Sequence, residues 1–439
     1  MARIRPFSAF RYDLSRVAAA AVLTQPYDKI SPDMRARYLA ASPYNLVRVI
    51  LGEKHDSDTT NDNVYTRAAG YLQNWIEAGV LRADPEPGIY PYTQTFRSPA
   101  SGETFTRRGF IALGGLEPYD KKVVYRHEQT LSGPKADRQA LLRATHTHFG
   151  QIFMLYSDPT QSVERELLER ARTPVLEASD EYGTEHRLYR ETDAGVLERL
   201  RHAMAPLPLV IADGHHRYET ALQWSAEQTA QAAHRPDRPW EWAMMTFVNL
   251  DAPGLVVLPT HRLVYGLKPW NAATVREKLR AYFDFADTGL PAAPESWARL
   301  RPQLEAAATQ GIAFAAALAG EPHVHMLRPR ADLDLAKLLP DALPEQRQLD
   351  LVVLHQLGLN LAMGVTPEMV RAEQHLRYVK EAAEALQSVA VGAAQAAFLL
   401  HPIPAKRVRD VALAGGVMPQ KSTDFFPKLL TGLTLQKVS

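Results

Sequence analysis

Leu209 to Leu222 read LVIADGHHRYETAL. Leu209, Val210 and Ile211 form the short apolar run that a buried strand requires. Asp213-Gly214 signals a turn, and from His216 onward Tyr218, Ala221 and Leu222 fall on one face of a helix. The unit is therefore strand, tight turn, helix N-terminus. A helix N-terminus offers unpaired N–H groups and the positive end of a dipole, which suits an anion. Arg217 adds a planar, permanently charged fork matched to phosphate. Gly214 lets a ligand approach the backbone. This pattern reads as a phosphate-binding turn with His215 and His216 beside it. The competing reading is a polar loop capping a helix, its histidines bonded to nearby carbonyls. The buried strand in front of the turn favours the ligand site.

Upstream of this unit the spacing predicts a strand over 44–51, a helix over 62–78 ending at Gly79, and a hairpin of strands over 89–96 and 104–113. Strands are expected over 123–127, 152–156 and 186–189, and helices over 137–145 and 163–171. Downstream, Pro236 to Pro239 interrupts the chain before strands over 242–250 and 256–263. From about residue 270 the chain turns Ala- and Leu-rich, with strands over 312–318, 323–327 and 396–400 and helices over 349–361 and 380–389. This mixed order predicts an α/β (mixed α+β) protein. The composition shifts suggest an N-terminal flank over 1–88, a core over 89–265 and a C-terminal α/β region over 266–439.

Hydrophobic residues make up 46% of the 439 and charged residues 23%, as expected for a globular protein. Lys plus Arg number 50 against 49 for Asp plus Glu, so no broad field attracts nucleic acid or anionic lipid. The chain has no cysteine, which excludes disulfides, thiolate nucleophiles and Cys-ligated metal centres. No apolar run reaches the ~18 residues of a membrane span. MARIRPFSAFRYD has no apolar core of signal-peptide length, so a cytoplasmic protein is expected.

Three further clusters carry chemistry. Arg126-His127-Glu128-Gln129-Thr130 ends a strand, with Lys135, Asp137 and Arg138 following at a helix start. Glu128 flanked by these cations has the makings of a general base; the alternative is a solvated, self-paired charge run. It is not a zinc motif, because the second His is missing. Near the C-terminus, Lys421-Ser422-Thr423 resembles the end of a Walker A loop, but Gln420 stands where that loop needs glycine. Gly415-Gly416 with Lys421 and Lys428 reads either as a basic loop over an anion or as an exposed turn. In PYDKIS (26–31), Asp28 either holds a Mg²⁺ water or a substrate amine, or caps the helix that starts near Pro32.

Taken together, PYDKIS, RHEQT with the downstream ADRQALL, IADGHHRYETAL and MPQKSTDFFPK (418–428) resemble the prokaryotic family called domain of unknown function 1015. The central part also looks like the ParB/sulfiredoxin superfamily, which includes CTP switches, sulfiredoxins and free-serine kinases. That resemblance implies a G-x-x-R turn for nucleotide phosphates at Gly214, His215, His216 and Arg217. It also implies a catalytic glutamate at Glu128, after His127. Sulfiredoxin chemistry needs a cysteine where this chain has His215, so that reaction is excluded. A DNA-reading module finds little support in the near-neutral charge.

The expected function is a small-molecule phosphotransferase with ATP, ADP or another phosphate donor and, by resemblance, free L-serine as the leading acceptor. Glu128, His127 and His216 form the expected catalytic set. Asp213, Gly214, His215, Arg217, Arg126, Lys421 and Ser422 are the expected phosphate-binding set, with Asp213 as candidate Mg²⁺ ligand. The alternative is a nucleotide-binding regulatory module of the ParB type that senses CTP or ATP without transferring phosphate.

Overall fold

Nine strand-forming runs of the first 256 residues assemble into one mixed sheet, while Phe10–Tyr12 pairs with Leu81–Ala83 and Thr147–His148 with Gln436–Lys437 apart from it. The computed structural model describes residues 1–128, 133–167, 172–232 and 238–438. Gln129 and Thr130, the end of the helix expected over 163–171, and Pro236 lie outside the described residues. Contacts divide the chain into two units: one takes 1–126, 130–256 and the tail 425–439, the other His127, Glu128 and 257–424. Residues 1–88 thus belong with the following core, and the tail returns to it.

In the first unit the strands are β1 (Ile4–Arg5), β2 (Tyr90–Arg97), β3 (Thr104–Gly115), β4 (Val124–Tyr125), β5 (Ile152–Tyr156), β6 (Leu176–Ser179), β7 (Glu185–Leu188), β8 (Leu209–Asp213) and β9 (Trp242–Asn249). Their order is β4-β8-β5-β9-β3-β2-β7-β6, with β1 on β3. β8 runs parallel to β4 and antiparallel to β5, which places the end of β8 inside the sheet. The hairpin β2–β3 turns at Gly102, whose φ of 75° requires glycine, and its register sets Gln94 opposite Arg107. Every second residue of the inner strands enters one apolar cluster: Ile152, Met154 and Tyr156, then Leu209 and Ile211, then Ala243, Met245 and Phe247. Each large side chain buried this way contributes roughly 1.5–3 kcal/mol.

The second unit has a six-stranded sheet, β10 (His261–Val264), β11 (Phe283–Asp287), β12 (Phe314–Leu318), β13 (His325–Pro329), β14 (Leu376–Val379) and β15 (Ala396–Leu399), in the order β11-β13-β12-β15-β10-β14. The expected α/β class is what is found. No helix among the described residues is long and apolar enough to cross a membrane.

Local differences have local causes. Residues 44–51 do not form a strand; Val47–Ile50 is a short helix, because the Asn45 side chain accepts from the Val47 N–H at 2.9 Å and donates to the Ala21 carbonyl at 2.8 Å. The strand expected over 256–263 is two pieces, Val256–Leu258 and His261–Val264. Ser31, and not Asp28, caps the helix Pro32–Ala41, accepting from Met34 N–H at 3.2 Å.

Candidate functional site

The turn after β8 folds as its sequence demands. Gly214 sits at φ 91°, a left-handed conformation open to glycine, and directly precedes the seventeen-residue helix α1 (His215–Gln231). Gly214 N–H donates to Asp213 Oδ1 at 2.8 Å. The other carboxylate oxygen, Oδ2, lies 3.6 Å from an Arg217 guanidinium nitrogen and 3.8 Å from Lys428 Nζ. Burial alone would raise the Asp213 pKa. The charges of Lys428, Arg217, Lys29 and His215 outweigh it and hold the carboxyl well below the usual range.

Two cationic side chains thus flank one carboxylate at a helix N-terminus, and the charge of Lys29 acts on it as well. Lys29 is shared with Asp28, whose carboxylate is 3.7 Å away. Lys29, Arg217 and Lys428 bring positive charge to a turn that already carries the positive end of the helix dipole. Arg217 also donates to the Gln151 carbonyl, which fixes its guanidinium beside Gly214. His215 is buried at the first helical position, and His216 is half-buried beside it.

A buried clasp places Lys428. Arg107, only 2% exposed, donates from Nε to Gln94 Oε1 at 3.0 Å, and from its terminal nitrogens to the Phe426 carbonyl at 3.3 Å and the Pro427 carbonyl at 2.6 Å. Gln94 Nε2 donates to the Lys428 carbonyl at 2.9 Å. One cross-strand pair therefore holds three successive carbonyls of the tail. Burial lowers the Arg107 pKa to about 10, still fully charged at neutral pH.

Asp213 does not fit as a Mg²⁺ ligand. Its carboxylate already faces three positive side chains, which repel a divalent cation. No cluster of three or more metal-ligating side chains occurs among the described residues.

The expected site residues divide between the units. Asp213, Gly214, His215, His216, Arg217 and Arg126 are in the first. Arg126 is exposed and stacks its guanidinium 5.2 Å over the Tyr119 ring, which is a surface contact. His127, Glu128, Lys421 and Ser422 are in the second unit. There His127 is 1% exposed, its Nε2 2.9 Å from Thr423 Oγ1 and its carbonyl accepting from Met418 N–H at 2.7 Å. Glu128 Oε1 accepts from Lys421 N–H at 3.2 Å. Ser422 is buried and donates to the Pro419 carbonyl, so its hydroxyl serves the turn and does not fit an anion clamp. Lys135, expected to flank Glu128, pairs with Glu219 in the first unit.

Lys29 and Lys428 are the site members that sequence reasoning did not place at Asp213. Their motifs, PYDKIS and MPQKSTDFFPK, were visible, but pairing across hundreds of residues leaves no trace in local spacing.

Residues 4–352 match the model of a family described as a protein of unknown function, DUF1015. The chain belongs to that family. No curated protein matches it. Among solved structures, a conserved hypothetical protein from Pyrococcus furiosus is similar at 13% identity and TM-score 0.32, over 69% of this chain and 87% of that one. A free serine kinase variant in complex with ADP is similar at 11% identity and TM-score 0.34, over 71% and 89%. SbnI with a C-terminal truncation, from Staphylococcus aureus, is similar at 10% identity and TM-score 0.32, over 73% and 85%. Likeness this distant says nothing of the activity of this DUF1015 member, which rests on its own site.

Proposed function

We propose that the first unit binds the phosphate group of a small molecule or nucleotide at the turn between β8 and α1. The observation that carries this reading is the convergence of Lys29, Arg217 and Lys428 on Asp213 at the N-terminus of a long helix. An incoming phosphate dianion competes with Asp213 for the same three cations and gains the N–H groups of the first helical turn. Asp213 then acts as a placeholder that keeps the cations oriented while the site is empty. The finer reading is phosphoryl transfer, from a nucleotide or polyphosphate to a small hydroxyl compound. L-serine is the acceptor that the sequence resemblance names. Glu128 is its candidate general base.

Titration with inorganic phosphate, ADP and ATP, followed by calorimetry, tests binding. Arg217→Ala is expected to weaken phosphate binding by about 10- to 100-fold, the loss of a charge-assisted hydrogen bond worth about 1.5–3 kcal/mol. Unchanged affinity would remove the turn from the site. Incubation with nucleotide and serine, read by phosphorus NMR for phosphoserine, separates transfer from retention. Full turnover in Glu128→Gln would end the base assignment.

A further inference from the structure

Behind the first turn of α1, within the first unit, lies a cavity of about 70 Å³. Arg217 and Thr220 border it from the helix, three residues apart and so on one face. Tyr27 and Arg138 border it too, with the Arg138 guanidinium 4.2 Å over the Tyr27 ring. Much of the remaining wall is hydrocarbon, Ile152 and Met244 included. Thr220 is 4% exposed, and its hydroxyl has no hydrogen-bond partner among the described residues. A helical threonine ordinarily bonds back to the carbonyl four residues earlier, and this one does not. A buried hydroxyl left unsatisfied is destabilising, and a polar group held in the cavity would satisfy this one. The rest of the polar lining is Thr147, Thr431 and His148. Burial lowers the His148 pKa to about 4, so its ring adds no charge at neutral pH.

Size decides what fits. At roughly 10–15 Å³ for each water-sized centre, the cavity takes about five to seven non-hydrogen atoms. A ribose alone exceeds that, and a nucleoside exceeds it severalfold. We propose that this cavity receives the organic arm of a short-chain phosphomonoester, an aliphatic arm of about three to five non-hydrogen atoms carrying one hydroxyl, amino or carbonyl group for Thr220. The inference rests on the phosphate reading of the turn, since Arg217 serves both: it faces Asp213 on one side and borders the cavity on the other. Any nucleoside belongs elsewhere than in this cavity. PYDKIS acquires a role as well, with Tyr27 at the arm and Lys29 at the phosphate.

Calorimetric titration of the full chain with inorganic phosphate, ethyl phosphate, 2-hydroxyethyl phosphate and AMP tests this without altering the protein. 2-Hydroxyethyl phosphate is expected to bind about tenfold tighter than inorganic phosphate, from burying about two carbons and satisfying Thr220. Thr220→Val, which keeps the shape and removes the hydroxyl, is expected to equalise ethyl and 2-hydroxyethyl phosphate. It should leave inorganic phosphate and AMP unchanged. Equal affinities for inorganic and 2-hydroxyethyl phosphate in the native protein would overturn the subsite while leaving the phosphate turn standing. Weaker AMP binding in Thr220→Val would overturn the size limit. Inorganic phosphate affinity indifferent to Arg217→Ala would overturn the phosphate reading itself, and the subsite with it.

Discussion

Two buried arginines hold two stretches of the same C-terminal motif, and they do so to different ends. In the first unit, Arg107 takes the carbonyls of Phe426 and Pro427, and the chain then delivers the Lys428 ammonium to Asp213. In the second, Arg262 takes the carbonyls of Gln420 at 3.3 Å and Lys421 at 3.2 Å, with Thr260 and His355 Nε2 filling its other donors. The stretch it holds, where Lys421 sits at φ 55°, accommodates Glu128 through the Lys421 N–H. Burial lowers both guanidinium pKa values to about 10, and both remain cations. The first clasp ends in a lysine brought to Asp213 beside a helix N-terminus. The second ends at the Glu128 carboxylate, held by the Lys421 N–H. A buried arginine is thus no sign of a site in itself; what it orients decides.

The sharpest way to break this contrast is to remove each clasp in turn. Arg107→Met and Arg262→Met are each expected to cost about 3–5 kcal/mol of stability, because buried carbonyls lose charged donors. Urea denaturation measures that loss. Only Arg107→Met should also weaken phosphate binding, and equal effects on phosphate would erase the distinction.

Next in size is a pH effect confined to the second unit. Burial raises the Asp350 carboxyl to about 6, above its ordinary 3.8, against the Leu351 N–H bond and the charge of Arg262. Between these values the folded protein holds a proton that the unfolded chain has lost. Asp350 therefore costs nothing below about pH 4, and stability falls as pH rises through 6. Asp350→Asn cannot ionise, so its stability relative to the native chain should rise from pH 4.5 to pH 7. A flat difference across that range would mean that Asp350 is not held neutral. The smallest effect belongs to a cap: Ser31→Ala should cost about 1 kcal/mol and leave phosphate affinity alone.

How much was legible before the fold was known follows the range of the interaction. The strand, Gly turn and helix over 209–222 could be read because each depends on neighbours within a few residues: apolar side chains, a left-handed glycine, a 3.6-residue period. The hairpin at 90–115 was legible for the same reason. Residues 44–51 misled because β-branched side chains favour a strand locally, whereas Asn45 ties the backbone to Ala21. The bond from the Ser422 hydroxyl to the Pro419 carbonyl was not legible, because it depends on how that turn folds. Lys421-Ser422 and Lys428 were adjacent on paper, yet they fall in different units.

The chain alone determined an α/β protein, without thiol chemistry, with a strand, a glycine turn and a helix over 209–222. Composition and short-range periodicity carry those statements, and they need no partner distant in sequence. Tertiary structure alone decided that Lys29 and Lys428 complete the turn, that Gln94 and Arg107 hold the tail in place, and that a cavity opens beside Thr220. Charges separated by some 200 residues interact only after the backbone has paid its conformational entropy, and the register of a sheet, not the spacing of a motif, sets which of them meet.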